Sequence, residues 1–302
     1  MASSSGKVIV CGEHAVVYGV AAIAGGIARG AHAQATPSEH SVLRLGDRVV
    51  RPSDDSELGR AFRQLAGALP TPPCDVTVTL KLPAGAGLGA SAAIGVAVAR
   101  ALLDAGPPVE PRDRDALVER AALAWESVFH GNPSGIDTAA AARGGCIYFR
   151  RGQPPVSVAV PTPLVFAIGL AGPPAPTREM VESVARLKER KPELVQKALD
   201  GIAALVENAR LCIEAGDHVG LGKLLDLNQM LLAGLHVSSE DIELACAVAR
   251  DAGALGAKLT GAGGGGAVIA LCSGDAAPVL AAWGARGISG FPARVSGEEP
   301  AA

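Results

Sequence analysis

Leu82-Pro83-Ala84-Gly85-Ala86-Gly87-Leu88-Gly89-Ala90-Ser91-Ala92-Ala93 is the stretch on which the reading of this chain turns. Residues 75–80, Asp-Val-Thr-Val-Thr-Leu, stand before it. They alternate and are β-branched, which predicts a strand. Residues 91–103 follow, rich in Ala and Val, with Gly95 as the one glycine and no proline. That composition predicts a helix, so the order is strand, glycine loop, helix. Gly85, Gly87 and Gly89 let the backbone take positive φ and come close to a ligand. Ser91 stands at the helix start, where unpaired N–H groups and the positive end of the helix dipole attract an anion. The loop reads as a phosphate cradle; a turn that only reverses the chain is the alternative. No Gly-Lys-Ser/Thr closes it, so no lysine follows the glycines to reach terminal phosphates. A dinucleotide fingerprint is also a poor fit. Its acidic ribose ligand, about 20 residues on, would fall in Pro107-Pro108-Val109-Glu110-Pro111, which reads as a linker.

The bulk properties narrow the function classes. At 302 residues the chain suits one large or two modest domains. Hydrophobic residues make up 49% and charged residues 19%, as in a core-forming globular protein. Aromatics are 3%, so the core must be mainly Ala, Val, Leu and Ile. The net charge is −3 without a long basic run, which argues against nucleic acid. Cys11, Cys74, Cys146, Cys212, Cys246 and Cys272 are scattered, with no C-x-x-C pair. They read as reduced, buried thiols of a cytoplasmic protein. No stretch is long and apolar enough to span a bilayer, and the N-terminus lacks a signal-peptide layout.

Along the chain, residues 7–11 read as a buried strand followed at once by Gly12-Glu13-His14. An acid and a histidine there sit where the chain leaves a sheet, a common place for ligand groups; a surface turn is the other reading. Residues 21–36 predict a long bent strand with Gly25, Gly26 and Gly30 as bulges. Residues 42–50 predict a hairpin and 54–69 a helix. Residues 113–129 predict a helix that carries Trp125-Glu126 near its end, where the dipole does not favour a glutamate. In His130-Gly131-Asn132-Pro133-Ser134-Gly135-Ile136-Asp137, Asn-Pro predicts a turn and Ser134 a cap. Asp137 then falls in the first turn of a helix that continues over 138–143. Residues 146–149 predict a short strand. A composition shift at 150–155 divides the chain into domains 1–153 and 154–302. The second part predicts a strand at 164–170 and a helix from an N-cap at Thr177 to residue 190. Further helices are predicted over 192–215, 217–235 and 239–252. A glycine loop leads into an apolar strand within 256–271. A helix over 279–286, a final strand within 287–295 and a frayed end from 297 close the chain.

Read together, Gly6-Lys7 through Gly19, residues 83–93 and residues 258–266 resemble the three motifs of the GHMP small-molecule kinases. Trp125-Glu126 and residues 130–137 extend the likeness, which then spans nearly the whole chain. The resemblance implies an α/β (α+β) fold of two domains: an N-terminal one like domain 2 of ribosomal protein S5 and a ferredoxin-like C-terminal one, with the site in the cleft between. It implies ATP as co-substrate, Mg2+, and phosphoryl transfer to the 5-hydroxyl of mevalonate. It would place Pro83, Ala84, Gly85, Ala86, Gly87, Leu88, Gly89, Ala90 and Ser91 around the ATP phosphates. Ser91 and Glu126 would hold magnesium, Asp137 would take the hydroxyl proton, and Lys7 would stand beside that hydroxyl and the γ-phosphate. Glu13, His14, Thr177 and Gly263 would lie on the substrate side. Family members also suggest a homodimer.

The chain departs from the family pattern in two places. Ala90-Ser91 stands where Ser-Ser is frequent. The loop before Thr177 is proline-rich, and the basic residue falls after the threonine, as Arg178. The rival readings are a phosphomevalonate kinase, a galactokinase-like enzyme and a non-catalytic metabolite sensor of the same fold. Apolar Ala15-Val16-Val17 suits a methyl-bearing chain better than a sugar, and Glu13 disfavours a second phosphate.

Overall fold

The computed structural model describes residues 1–297 except Ala84, Gly131 and Asn132; the phosphate contact expected at Ala84, the turn expected at Asn132 and the fraying expected from Gly297 on, save for Gly297 itself, lie outside the described residues. The first half forms a seven-stranded sheet from β1 (Ala2–Cys11), β2 (Ala22–Pro37), β3 (Val42–Leu45), β4 (Arg48–Val50), β5 (Cys74–Leu80), β6 (Cys146–Phe149) and β7 (Val156–Ser157). The path runs β4-β3-β5-β2-β6-β7, with β1 paired antiparallel to β2 off that path. Only the β3–β5 pairing is parallel among the described strands. The helices of this half are α1 (Glu57–Gly67), α2 (Ala90–Ala105), α3 (Pro111–His130) and α4 (Ile136–Arg143). The second half carries an antiparallel four-stranded sheet, β11-β8-β10-β9, from β8 (Leu164–Leu170), β9 (Gly256–Leu259), β10 (Ala267–Cys272) and β11 (Gly290–Val295). Its helices are α5 (Thr177–Arg190), α6 (Pro192–Ala215), α7 (His218–Gly234), α8 (Glu240–Asp251) and α9 (Ala277–Gly284). One continuous set of buried side chains runs through both halves.

The central helix α2 explains the alanine-rich composition. It packs on β2, β1 and α3 and is buried on almost every side, as a helix apolar all round must be. Small residues let these neighbours approach. A Cβ at Gly95 would stand 3.0 Å from Cδ1 of Trp125, so glycine there makes room for the indole.

Local differences from the sequence reading have physical causes. β1 begins at Ala2, five residues before the expected start. Its serines look polar, but Ser4 Oγ is buried and donates to the Ala93 carbonyl at 2.8 Å. The long β2 is slipped against β1 opposite Ser5/Gly6 and Ile9/Cys11. Residues 256–259 read as loop yet form strand β9, because β10 supplies its hydrogen-bond partner. Thr177 is the first residue of α5, whose N-cap is Pro176, not the cap itself. The N-cap of α4 is Gly135 in the left-handed region, with Ser134 Oγ accepting from Ile136 N at 3.4 Å. β7 follows the expected interdomain connection and still pairs with β6. All six thiols are free, but Cys212 is only half-buried. Burial pushes the thiols of Cys11, Cys146 and Cys246 up to about 12. No helix of the described residues is long and apolar enough to cross a membrane.

Candidate active site

The glycine loop after β5 has the conformation its residues predict. Gly85, Gly87 and Gly89 have φ of +74°, +79° and +75°. Gly89 is the N-cap of α2, and among the described residues no side chain caps that helix. The N–H groups of its first turn are therefore left for a ligand. The second glycine loop, after β9, closes on the first. A Cβ on Gly87 would stand 3.1 Å from the Thr260 carbonyl, and Ala267 N donates to the Ala86 carbonyl at 3.1 Å.

Lys7 runs across this loop from β1. Its backbone N–H donates to the Leu88 carbonyl at 2.9 Å, and a Cβ on Gly89 would stand 2.8 Å from Lys7 Cγ. Its Nζ lies 3.0 Å from Asp137 Oδ1, at the start of α4. Asp137 is there because the turn before α4 ends in Gly135, which sets the helix entry.

Ser91, one residue into α2, faces Glu126 on α3. Ser91 Oγ donates a short hydrogen bond to Glu126 Oε1, and Trp125 Nε1 donates to Ser91 Oγ at 3.2 Å. His130 Nε2, one turn on, is 3.6 Å from Glu126 Oε2. Glu126 is 2% exposed. Burial pushes its carboxyl up to about 7; the nearby Asp137 charge adds to this, while the Ser91 hydroxyl and Lys7 oppose it. A buried carboxylate beside a hydroxyl is a donor set that suits a hard divalent ion. The described residues hold no cluster of three His, Cys, Asp or Glu.

Glu13 and His14 follow β1. Glu13 Oε1 receives Lys258 Nζ in a short contact, and Oε2 receives Asn228 Nδ2 at 3.2 Å. The His14 ring, pushed down in pKa by burial and so neutral, donates from Nε2 to the Ala262 carbonyl at 2.8 Å.

One cavity collects these groups. Lys7, Glu13, His14 and Asp137 line it, as do Gly85, Gly87, Gly89, Ala90, Ser91 and Glu126. Thr177 lines it from α5, with Val16, Val17 and Val181 as apolar wall. A second cavity shares Glu126, Asp137 and Thr177 and extends outward past Arg178 and Glu182. Pro83, Ala86, Leu88 and Gly263 are not on the wall. Ala86 and Leu88 are buried beneath the loop. Gly263, in the second glycine loop, is buried against Val237, where a Cβ would stand 2.1 Å from the Val237 carbonyl. The sequence alone gives no site role to Asn228, His130 or Lys258, and gives Ser134 only that of a helix cap. Asn228-Gln229 inside the apolar run of α7 was the available signal: two amides where a helix should bury hydrocarbon.

This fold and this cavity define a nucleotide-using small-molecule kinase, and the comparisons agree. The model described as the GHMP kinases N terminal domain matches residues 56–145, and that of the GHMP kinases C terminal matches residues 203–289. The chain belongs to the GHMP kinase family. It is similar to the mevalonate kinase of Pyrococcus abyssi, 33% identical over 99% of this chain and 96% of that relative. The mevalonate kinase of Schizosaccharomyces pombe is 31% identical over 89% of this chain and 82% of that relative. The crystal structure of Leishmania major mevalonate kinase in complex with R-mevalonate superposes with a TM-score of 0.86, at 28% identity, covering 99% of this chain and 96% of that one.

Proposed function

We propose that this chain is a mevalonate kinase, transferring the γ-phosphoryl group of ATP to the 5-hydroxyl of (R)-mevalonate. The observation that carries this reading is the meeting of Lys7–Asp137 with Ser91–Glu126 in one cavity, in a chain whose whole length resembles mevalonate kinases. The phosphates would lie on the loop at Gly85–Ser91, held by the open first turn of α2. Ser91 and Glu126 would hold a magnesium ion, which when bound draws charge off the transferred phosphoryl group. Asp137 accepts the proton of the attacking hydroxyl. Lys7 steadies the charge that develops on both partners. Phosphoryl transfer of this kind has a loose transition state, so holding the hydroxyl in line matters more than base strength.

His14 and Thr177 would meet the substrate, while Gly263 would support the wall formed by Ala262. Val17 and Val181 suit the methyl-bearing chain. Arg178, on the outer cavity, provides a cation for the carboxylate end. Its present partner, Glu182 Oε1 at 2.9 Å, is exposed and weakly competing. The homodimer and the cytoplasmic setting are carried over from the family likeness as part of the same proposal.

The test is ADP release by the purified protein with ATP, magnesium and mevalonate. The expected product is 5-phosphomevalonate, identified by mass. Faster turnover with phosphomevalonate, galactose or homoserine would assign the chain to a rival reading. ATP binding without turnover of any acceptor would make it a sensor.

A further inference from the structure

Glu13 lines the cavity, yet its side chain is 0% exposed, as is that of Lys258. Both carboxylate oxygens already have donors from the second half of the chain, Lys258 on β9 and Asn228 on α7. Lys258 Nζ also donates to the Leu259 carbonyl at 2.5 Å. The neighbouring amide, Gln229, accepts from Leu259 N at 2.9 Å and so pins β9 to α7. Both oxygens of Glu13 are thus engaged before any substrate arrives.

What it holds is an uncommon backbone. His14 has φ 59° and ψ −44°, and Ala15 N donates to the Glu13 carbonyl at 2.6 Å. That is a three-residue γ-turn of the positive-φ kind, strained for any residue with a Cβ. Such a conformation persists only where its surroundings over-determine it. Here the clamp on Glu13 lies on one side and the His14–Ala262 hydrogen bond on the other. The turn places the imidazole on the cavity wall.

We infer that Glu13 is a positioning residue: Lys258 and Asn228 hold it so that the strained turn keeps His14 aimed at the substrate, and Glu13 itself does not bind mevalonate. The kinetic part of this inference rests on the proposed function. Its spectroscopic part does not.

Asn228→Leu tests it, because Asn228 is fully buried, is absent from the cavity wall and has an Oδ1 without a hydrogen-bond partner among the described residues. The variant is expected to raise the KM for mevalonate about fivefold, the factor for one net hydrogen bond. The KM for ATP is expected to hold within about twofold. In the ligand-free protein the His14 imidazole NMR resonances shift. Lys258→Arg, which keeps the charge but moves the donor, is the second variant and should act in the same direction. If Glu13→Gln raises the KM for mevalonate while Asn228→Leu and Lys258→Arg leave both it and the His14 resonances unchanged, Glu13 is a direct ligand and the inference falls. Equal rises in both KM values would reduce the network to general packing and overturn it too. Should mevalonate prove not to be the acceptor, the His14 resonances alone decide.

Discussion

Lys7–Asp137 and Glu13–Lys258 are both lysine–carboxylate pairs on the same cavity, placed in opposite surroundings. In the first, the Lys7 side chain is 3% exposed but that of Asp137 is 38% exposed. A ligand can reach the carboxylate and compete for the lysine. In the second, neither side chain is exposed and both carboxylate oxygens are taken. Attraction between buried ions is strong, but so is the cost of desolvating them. Such a pair holds a shape and does not exchange partners. The difference teaches that openness, not charge type, separates a group that can do chemistry from one that fixes a backbone. The two pairs should fail differently: one in turnover, the other in stability and in substrate fit.

The largest expected effect is on the open pair. Asp137→Asn should lower kcat by roughly a thousandfold, within the range for a lost general base. ATP binding should persist, and the melting temperature should move by about 2 °C at most. Steady-state kinetics with nucleotide titration and scanning fluorimetry measure all three, and substantial remaining turnover would break the comparison at its first term. The sealed pair should show the reverse. Lys258→Met alone leaves the Glu13 carboxylate buried without its cation and should destabilise the fold by roughly 3–5 kcal/mol in denaturant melts. The double variant Glu13→Gln with Lys258→Met should recover most of that loss; if it recovers none, the charge is not what destabilises the single variant.

Glu126 sharpens the contrast as a third case, buried like Glu13 but hydrogen-bonded to a hydroxyl, with the His130 imidazole at 3.6 Å and the Lys7 and Asp137 charges acting on it in opposite directions. Its folded-state pKa, about 7, lies above the ordinary 4.5. The native protein therefore holds this proton more tightly than the unfolded chain. The stability it contributes is fully present below about 4.5 and is lost as pH rises through about 7. In metal-free protein this amounts to roughly 3 kcal/mol between those limits. Glu126→Gln should flatten the profile and leave the protein more stable at pH 8, as read by urea melts across pH. A slope unchanged by the substitution would move the titration to another group. The smallest effect is expected at Arg178, an exposed partner of Glu182. Arg178→Ala should raise the KM for mevalonate about threefold without altering the melting temperature, since exposed pairs contribute little to stability. An unchanged KM would remove Arg178 from the carboxylate end of the substrate.

Much of this was legible in the residues. The strand, loop and helix around Gly85, Gly87 and Gly89 follow from periodicity and from what glycine alone permits. The helices of the second half lie within a few residues of their expected limits, because their apolar spacing and their Pro, Ser and Gly ends are local signals. The misses share a cause. β9 and the first residues of β1 are not strand-like in composition, and they become strands because β10 and β2 lie beside them. Thr177 has the type of an N-cap, but the rigid loop before it shifts the cap to Pro176.

The sequence by itself determined the glycine loops, the helix starts, the apolar core and the residue types that carry the chemistry. Each depends on torsion preferences and burial tendencies that act over a few neighbouring positions. Only the tertiary structure decided that Glu13 meets Lys258 across 245 residues, that Asn228 completes the clamp, and that Asp137 stays open while Glu13 is sealed. Exposure and ion pairing at such separations are properties of how the two halves pack, and no local pattern of side chains encodes them.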